Sequence, residues 1–109
     1  MHRIRLRKPW QSWFDGARLV FHRCFGRPTG LSPHQNVWIE IDNHSGACEV
    51  YLNHQLLGTA SAESRTSWEV SRLLLPRNEL ELVWHTRQPA EEKPAAEPPS
   101  AVVILIEEC

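Results

Sequence analysis

The stretch from Asn36 to Gly58 restricts the fold more than any other part of this sequence. It holds two runs of alternating apolar and polar residues, separated by a polar, glycine-containing turn. A second tight turn follows at Asn53–Gln55, and Leu56–Gly58 starts a return strand. The apolar positions of the two runs are Val37, Ile39 and Ile41, then Cys48, Val50 and Leu52. A period of two is typical of strands with one buried face. The stretch therefore predicts an antiparallel meander that needs partner strands from the rest of the chain.

Strand patterns recur on both sides of this meander. They cover His2–Lys8, Arg18–Phe25, Ser67–Ser71, Glu79–Thr86 and the apolar tail Ala101–Glu108. Arg72–Asn78 is interpreted as one helical turn that halts near Pro76, and Thr59–Thr66 as a loop. Short strands at roughly 8–12-residue spacing are typical of an antiparallel sandwich or barrel. The sequence predicts an all-β protein of about eight strands.

Length and charge narrow the class of protein further. The 109 residues suit one domain, so residues 1–109 are expected to form a single unit. Gln88–Ser100 is rich in proline, glutamate and alanine, which predicts a flexible loop inside the domain, before the last strand. The net charge of -1 does not favour nucleic acid, and no apolar run has the roughly 20 residues of a membrane-spanning helix. No secretory signal is present, so the expected compartment is the cytoplasm; a piece of a longer extracellular protein would read the same.

Neither cysteines nor histidines form a recognisable ligand pattern. Cys24 and Cys48 are expected to be small buried residues, and a disulfide between them stays open. The 6 histidines are scattered, so no metal site and no cofactor is predicted. No catalytic motif appears, and Glu40 and Asp42 on a strand face lack the cleft in which a glycosidase holds its paired carboxylates. The chain is not expected to be an enzyme.

An ordered series of residues resembles a known domain. It consists of Glu49-Val50-Tyr51-Leu52-Asn53, Gly58, Trp68-Glu69-Val70-Ser71, Leu73-Leu74, Pro76 and Asn78-Glu79-Leu80. This series resembles the jelly-roll, sugar-binding domain of family 2 glycoside hydrolases of the β-galactosidase type, which is galactose-binding-domain-like. The usual glycine after the asparagine is His54 here. The resemblance implies a jelly-roll β-sandwich that stands alone, without the separate barrel domain that carries catalysis in those enzymes.

The same resemblance implies a non-catalytic carbohydrate-binding-like module whose ligand is an oligosaccharide. Domains of this fold that bind ligands generally use loops at one end of the sandwich. The candidate ligand-binding residues are Trp13, Arg27, Trp38, His44, Arg65 and Arg87. The alternative is a protein-interaction or structural module without a sugar site, whose partner is another protein or a second copy of the chain.

The tryptophans leave more than one interpretation open. Trp10, Trp13 and Phe14 form either a sugar-stacking platform or a plug at the open end of the core, and the plug is favoured because aromatics bury large areas. The alternation places Trp38 on the outward face of its strand. There it would bind sugar, cover a protein interface, or lie under the Gln88–Ser100 loop.

Overall fold

A computed structural model describes residues 2–7, 9–85 and 98–108 of the chain. The strands are β1 His2–Arg5, β2 Gln11–Asp15, β3 Arg18–Gly26, β4 Gln35–Asn43, β5 Cys48–Leu52, β6 Gln55–Ala60, β7 Ser64–Glu69, β8 Arg77–His85 and β9 Ser100–Glu108. They form two antiparallel sheets, one in the order β1-β9-β4-β7 and the other in the order β2-β3-β8-β5-β6. The predicted all-β sandwich is confirmed, with nine strands. None of the described residues belongs to a helix that could cross a membrane.

The core lies between the two sheets, and the sequence alternation builds it. The inward residues of β4 and β5 are at most 1% exposed; they are Val37, Ile39, Ile41, Cys48, Val50 and Leu52. The apolar tail returns as β9, which pairs with β4 along its whole length and buries Val102 and Ile104 beside Ile41 and Ile39. The buried strand predicted for the tail is therefore confirmed. The predicted loop 88–100 lies outside the described residues up to position 97, and Ser100 already belongs to β9.

Three local predictions were wrong. Most of the predicted loop 59–66 lies in β6 and β7, where Ala60 pairs with Cys48 and Ser64 pairs with Asn43. These small residues carry no apolar alternation, so neighbouring strands decide their conformation. The predicted helical turn near Pro76 is a non-helical connection between β7 and β8. The first strand ends at Arg5, three residues before the predicted end, although the Leu6 N–H still donates to the Val102 carbonyl of β9 at 2.9 Å and the Leu6 side chain is buried.

The aromatic cluster divides between the core and the surface. Trp10 is buried and its indole N–H donates to the carbonyl of Leu6 at 3.4 Å, so the plug interpretation holds for this residue. Trp13 is 40% exposed, and the plug interpretation was wrong for it. The reason is that Gln11–Asp15 forms a strand, in which the period of two turns Trp13 to the outer face of the five-stranded sheet.

Cys24 and Cys48 are both free thiols. Strand β8 separates β3 from β5, which puts their axes about 10 Å apart, beyond the reach of a disulfide. Cys48 is buried in the core as expected, and burial raises the pKa of its thiol to about 11. Cys24 is partly exposed, because its position on β3 faces outward, so the expectation that it is buried was wrong. Cys109 lies outside the described residues.

The ordered series of residues that resembles a known domain, called the family-like series here, includes Asn53, which lies in the turn between β5 and β6. Asn53 has φ 51° and His54 has φ 68°. Positive φ at both central positions is the geometry of a two-residue hairpin turn of the kind that favours Asn-Gly. Asn53 therefore sits where a left-handed residue is needed, in the tight turn that the sequence predicts, and His54 occupies the place of the usual glycine.

Gly58, in the same series, makes room for a core aromatic. A Cβ at this position would lie 2.7 Å from the indole Nε1 of Trp68. Such a contact forces the Trp68 ring to move, because core packing tolerates added atoms poorly. We expect Gly58→Ala to lower the free energy of unfolding by about 1–3 kcal/mol, measured by urea denaturation. Gly46→Ala is the matched control, since a Cβ there meets nothing within 4 Å; equal losses in the two variants would contradict the packing explanation.

Candidate functional site

Three connections meet at one end of the sandwich: those after β2, β4 and β6. A cleft of about 430 Å³ opens there. Its lining residues are Asp42, Asn43, His44, Glu63, Ser64 and Arg65, and we call it the end cleft. All six are polar, and they come from β4, β7 and the turns that adjoin these strands. The end cleft therefore has the position and the polarity expected of a ligand site on this fold.

Asn43 fixes the shape of the end cleft. Its side chain is fully buried, and its amide nitrogen lies 3.0 Å from the carbonyl oxygens of Gly46 and Ser61. Its side-chain oxygen accepts from the Ser45 N–H at 3.2 Å and from the Ser100 hydroxyl at 2.9 Å. One side chain thus joins two turns and the start of β9. A cleft held in this way is formed before any ligand arrives.

Arg65 carries the exposed positive charge of the end cleft. One of its terminal nitrogens lies 3.6 Å from Asp42 Oδ2, and its Nε lies 3.8 Å from Glu40 Oε1. The Nε2 of His44 is also 3.6 Å from Asp42 Oδ2. These separations exceed the 2.7–3.2 Å of a good N–H···O bond. The guanidinium of Arg65 is therefore oriented by two carboxylates while its N–H groups stay able to donate to a ligand.

Glu40 is a buried charge beneath this arrangement. It is 8% exposed, and Arg3 donates to its Oε1 at 3.0 Å from across β9. A buried carboxylate is tolerated only when such partners replace water. Because Arg3 already donates to the Glu40 carboxylate, that carboxylate does not depend on the more distant guanidinium of Arg65 for a partner. Glu63, at the rim, has φ 49°, a left-handed conformation that is uncommon for a residue with a side chain.

The structure brings some of the predicted site residues together and separates others. His44 and Arg65 meet at the end cleft. Trp38 lies on the outer face of the same strand as Asp42, about 13 Å away along β4. Trp13 is on the outer face of the other sheet, and Arg27 lines a separate cleft of about 340 Å³ in the connection from β3 to β4. Arg87 lies outside the described residues.

Trp38 is only partly buried, and its indole Nε1 has no hydrogen-bond partner among the described residues. It shares its outer row with Leu105 of β9 and Glu69 of β7. The outward orientation predicted from the alternation is therefore observed. The prediction that it lies under the loop 88–100 falls on residues outside the described ranges.

Sequence reasoning missed a second polar cluster, on the outer face of the five-stranded sheet. The outer-face cluster consists of His22, Cys24 and Glu79, whose Nε2, Sγ and carboxylate oxygen atoms all lie within 4.8 Å of one another. His22 and Cys24 are two residues apart on β3, so the alternation alone puts them on one face. Glu79 joins them through the pairing of β3 with β8. That pairing joins segments more than 50 residues apart, and the sequence shows no local sign of it.

The charge of Glu79 makes stability depend on pH. Its pKa lies below the ordinary 4.5, mainly because His22 hydrogen-bonds to the carboxylate; desolvation opposes the shift and His54 adds to it. A lowered folded-state pKa gives stability that is present above the unfolded-state pKa and is lost as pH falls through the folded value. We expect the difference in urea midpoint between wild type and Glu79→Gln to shrink as pH falls below 4.5. Glu69→Gln, at an exposed position, should show no such trend. If the difference in urea midpoint between wild type and Glu79→Gln stayed constant with pH, the link between the pKa of Glu79 and stability would be contradicted.

No protein-family model and no curated protein matches this chain, and the similarities found are to solved structures. A β-glucuronidase of Bifidobacterium dentium, complexed with coumarin-3-O-glucuronide, is 29% identical over 61% of this chain, with a TM-score of 0.55. A β-glucuronidase of Dictyoglomus thermophilum is 15% identical over 82% of the chain, with a TM-score of 0.60. A β-glucuronidase of Bacteroides uniformis is 15% identical over 83%, with a TM-score of 0.59.

These matches occupy 11%, 20% and 12% of the three longer chains, in the same order. The present chain therefore spans at most a fifth of the length of these structures. At 15% identity the likeness establishes the fold alone. The resemblance to the jelly-roll domain of family 2 glycoside hydrolases, stated from the sequence, is confirmed, and the neighbours of this chain are portions of enzymes.

Proposed function

We propose that this chain is a non-catalytic carbohydrate-binding module and that the end cleft is its binding site. The observation that carries the proposal is the composition of the cleft, which combines exposed donors and acceptors around an open volume of about 430 Å³. A sugar presents hydroxyl groups that both donate and accept, so it needs this mixture. The volume also falls within the 300–1,000 Å³ of ordinary ligand pockets.

Each side chain has a definite part in this binding. Arg65 donates two parallel N–H groups to neighbouring hydroxyls or to the carboxylate of an acidic sugar. Asp42 and His44, which lie beside Arg65, accept from hydroxyl groups of the same sugar. Asn43 positions the others, because its own polar atoms are already bonded within the protein. A longer oligosaccharide would extend along β4 toward Trp38, whose ring offers a surface for stacking.

The proposal of binding without hydrolysis is supported by the arrangement of the acids near Arg65. The chain spans at most a fifth of the enzymes it resembles in fold. The resemblance places the catalytic residues of such enzymes in a separate barrel domain. Within the described residues, the two acids nearest Arg65 are Glu40, which is buried against Arg3, and Asp42, which faces His44. Because Glu40 is buried and paired with Arg3, it is not available as the second carboxylate that glycoside hydrolysis requires.

Isothermal titration against a panel of galactosides, glucosides and acidic oligosaccharides tests the proposal. We expect at least one of these sugars to bind with a Kd of about 1 mM or tighter, which corresponds to about -4 kcal/mol. Arg65→Ala should weaken that binding at least tenfold, about 1.4 kcal/mol. Arg27→Ala is the matched control, since it removes an exposed arginine outside the end cleft and should leave the affinity unchanged.

Two results would overturn the proposal. One is the absence of binding across the panel by a folded sample. The other is an equal loss of affinity in Arg65→Ala and Arg27→Ala, which would mean that general positive charge, not the end cleft, attracts the ligand. A stable dimer that binds no sugar would instead support the interaction module, with its exposed Leu56 and Leu75 as the first surface residues to replace.

A further inference from the structure

We propose that the outer-face cluster binds one divalent transition-metal ion, Zn²⁺ in the first instance, through His22 Nε2, the Cys24 thiolate and the Glu79 carboxylate. The proposal is independent of the carbohydrate site, because the cluster lies on the outer face of the five-stranded sheet, whereas Asp42 and Arg65 of the end cleft belong to strands of the four-stranded sheet. The three ligands come from two paired central strands, β3 and β8, which gives them a rigid support.

The distances suit a tetrahedral ion. Bonds of 2.0–2.3 Å to nitrogen, oxygen and sulfur place neighbouring ligand atoms about 3.3–3.6 Å apart. His22 Nε2 and Glu79 Oε1 are already 3.3 Å apart, and all three ligand atoms lie within 4.8 Å of one another. The proposal requires side-chain rotations of Cys24 and Glu79 that close the remaining distances.

The donor set selects the kind of ion. A thiolate with an imidazole is typical of Zn²⁺ and its neighbours in the transition series, whereas Mg²⁺ and Ca²⁺ prefer oxygen ligands throughout. Three protein ligands leave one position of the tetrahedron for water. On binding, the ion exchanges bound water for the three side chains: the Cys24 sulfur loses its proton to solvent and forms the metal–sulfur bond, and His22 Nε2 gives up its contact with Glu79 and its proton, to solvent or to Nδ1, and forms the metal–nitrogen bond.

His54 acts as a positioning residue for this site. Its Nε2 lies 3.0 Å from Oε2 of Glu79, and its Nδ1 lies 3.6 Å from Oε1 of Glu81. One oxygen of Glu79 thus faces His22 while the other is held by His54. Outer partners of this kind orient a ligating carboxylate toward its ion. The imidazole takes this position because the β5–β6 turn carries a histidine in the left-handed place of the usual glycine.

The competing explanation is that His22 and Glu79 are a plain ion pair. The chain contains a matched example of such a pair, since His85 Nε2 lies 2.6 Å from Oε1 of Glu49 on the same sheet. That pair is not part of any three-residue metal-ligating group among the described residues. The Cys24 thiol distinguishes the outer-face cluster from the His85–Glu49 pair, so a test of the metal site has to detect the bond between this thiol and the ion.

Titration of the metal-free protein with Co²⁺, followed by absorbance, tests the site. We expect one ion per chain, a thiolate-to-cobalt charge-transfer band, and the strong visible bands of a tetrahedral complex, all of them abolished by added Zn²⁺. Cys24→Ser should remove the charge-transfer band, and His22→Gln should weaken binding at least tenfold. His85→Gln and Cys109→Ser are the controls, and both should behave as wild type. Thermal melting establishes that each variant is folded.

A second measurement uses the unaltered protein. Zn²⁺ should slow the alkylation of Cys24 by iodoacetamide, read by peptide mass, whereas Cys48 should stay unlabelled with or without the ion because it is buried. The proposal is overturned if Zn²⁺ leaves the labelling of Cys24 unchanged. It is equally overturned if Cys24→Ser keeps the charge-transfer band, or if His85→Gln loses as much affinity as His22→Gln.

Discussion

Replacing Phe21 by alanine is expected to lower the free energy of unfolding by about 3–5 kcal/mol. Phe21 has no exposed surface, and its ring packs edge-on against Trp84 with the centroids 5.7 Å apart. The substitution removes buried apolar area and leaves a cavity that the two sheets cannot close without losing their pairing. A domain of this size has a total stability of about 5–15 kcal/mol, so the variant should be only marginally folded at room temperature.

Urea denaturation measures this loss, with the slope of the transition unchanged and its midpoint lowered. Phe14→Ala is the matched control, because it removes the same atoms from a ring that is only partly buried and does not belong to the core cluster. We expect it to lose less than half as much. If the two variants were equally destabilised, the assignment of Phe21 to the centre of the core would be wrong.

Asn78→Ala is expected to lower the free energy of unfolding by about 2–3 kcal/mol, a large effect for a polar side chain. Asn78 is completely buried at the start of β8. Its side-chain oxygen accepts from the Leu75 N–H at 2.8 Å and from the amide of Asn53 at 3.1 Å, and its amide donates to the Leu75 carbonyl at 2.9 Å. Alanine would leave these groups without partners in a place that water reaches poorly.

The same network shows why two asparagines of the family-like series occur together. Asn53 accepts from the N–H of Glu79 at 2.9 Å, so the β5–β6 turn and the entrance to β8 are joined by their side chains. Asn36→Ala, at a partly exposed position on β4, is the control and should change stability by at most about 0.5 kcal/mol. If thermal melting showed that Asn78→Ala also loses at most about 0.5 kcal/mol, the stabilising role of the asparagine network would be contradicted.

Most of the fold could be predicted from the sequence because its strands carry local signals. The alternation in β4, β5 and β8 identifies the buried face residue by residue, and turn chemistry at Asn53 marks the hairpin. The parts that were missed are β2, the end of β6 and the first half of β7, and these three strands lie at sheet edges, where the residues are small or exposed. Their conformation comes from pairing with a neighbouring strand, which is not a local property of the sequence.

The candidate sites were predictable to a smaller extent. Loop composition identified His44 and Arg65, and both line the end cleft. Asn43 shapes the end cleft by bonding to turns that meet only in the folded chain, so no local sequence pattern predicts this role. The outer-face cluster illustrates the same limit, since the spacing of His22 and Cys24 is visible on β3 while Glu79 is distant in sequence. Spacing within a strand indicates which side chains share a face, and only topology indicates which strands adjoin.

The central claim is that the end cleft binds carbohydrate, and an NMR titration of ¹⁵N-labelled wild-type protein tests it most directly. The titrant is the sugar that binds most tightly in the calorimetric panel, or the full panel in turn if none gives heat. We expect the largest chemical-shift changes at the backbone amides of His44, Glu63 and Arg65, with the amide of Arg27 unaffected. Changes concentrated around Trp13 or Arg27, or spectra that stay constant with every sugar, would contradict the claim.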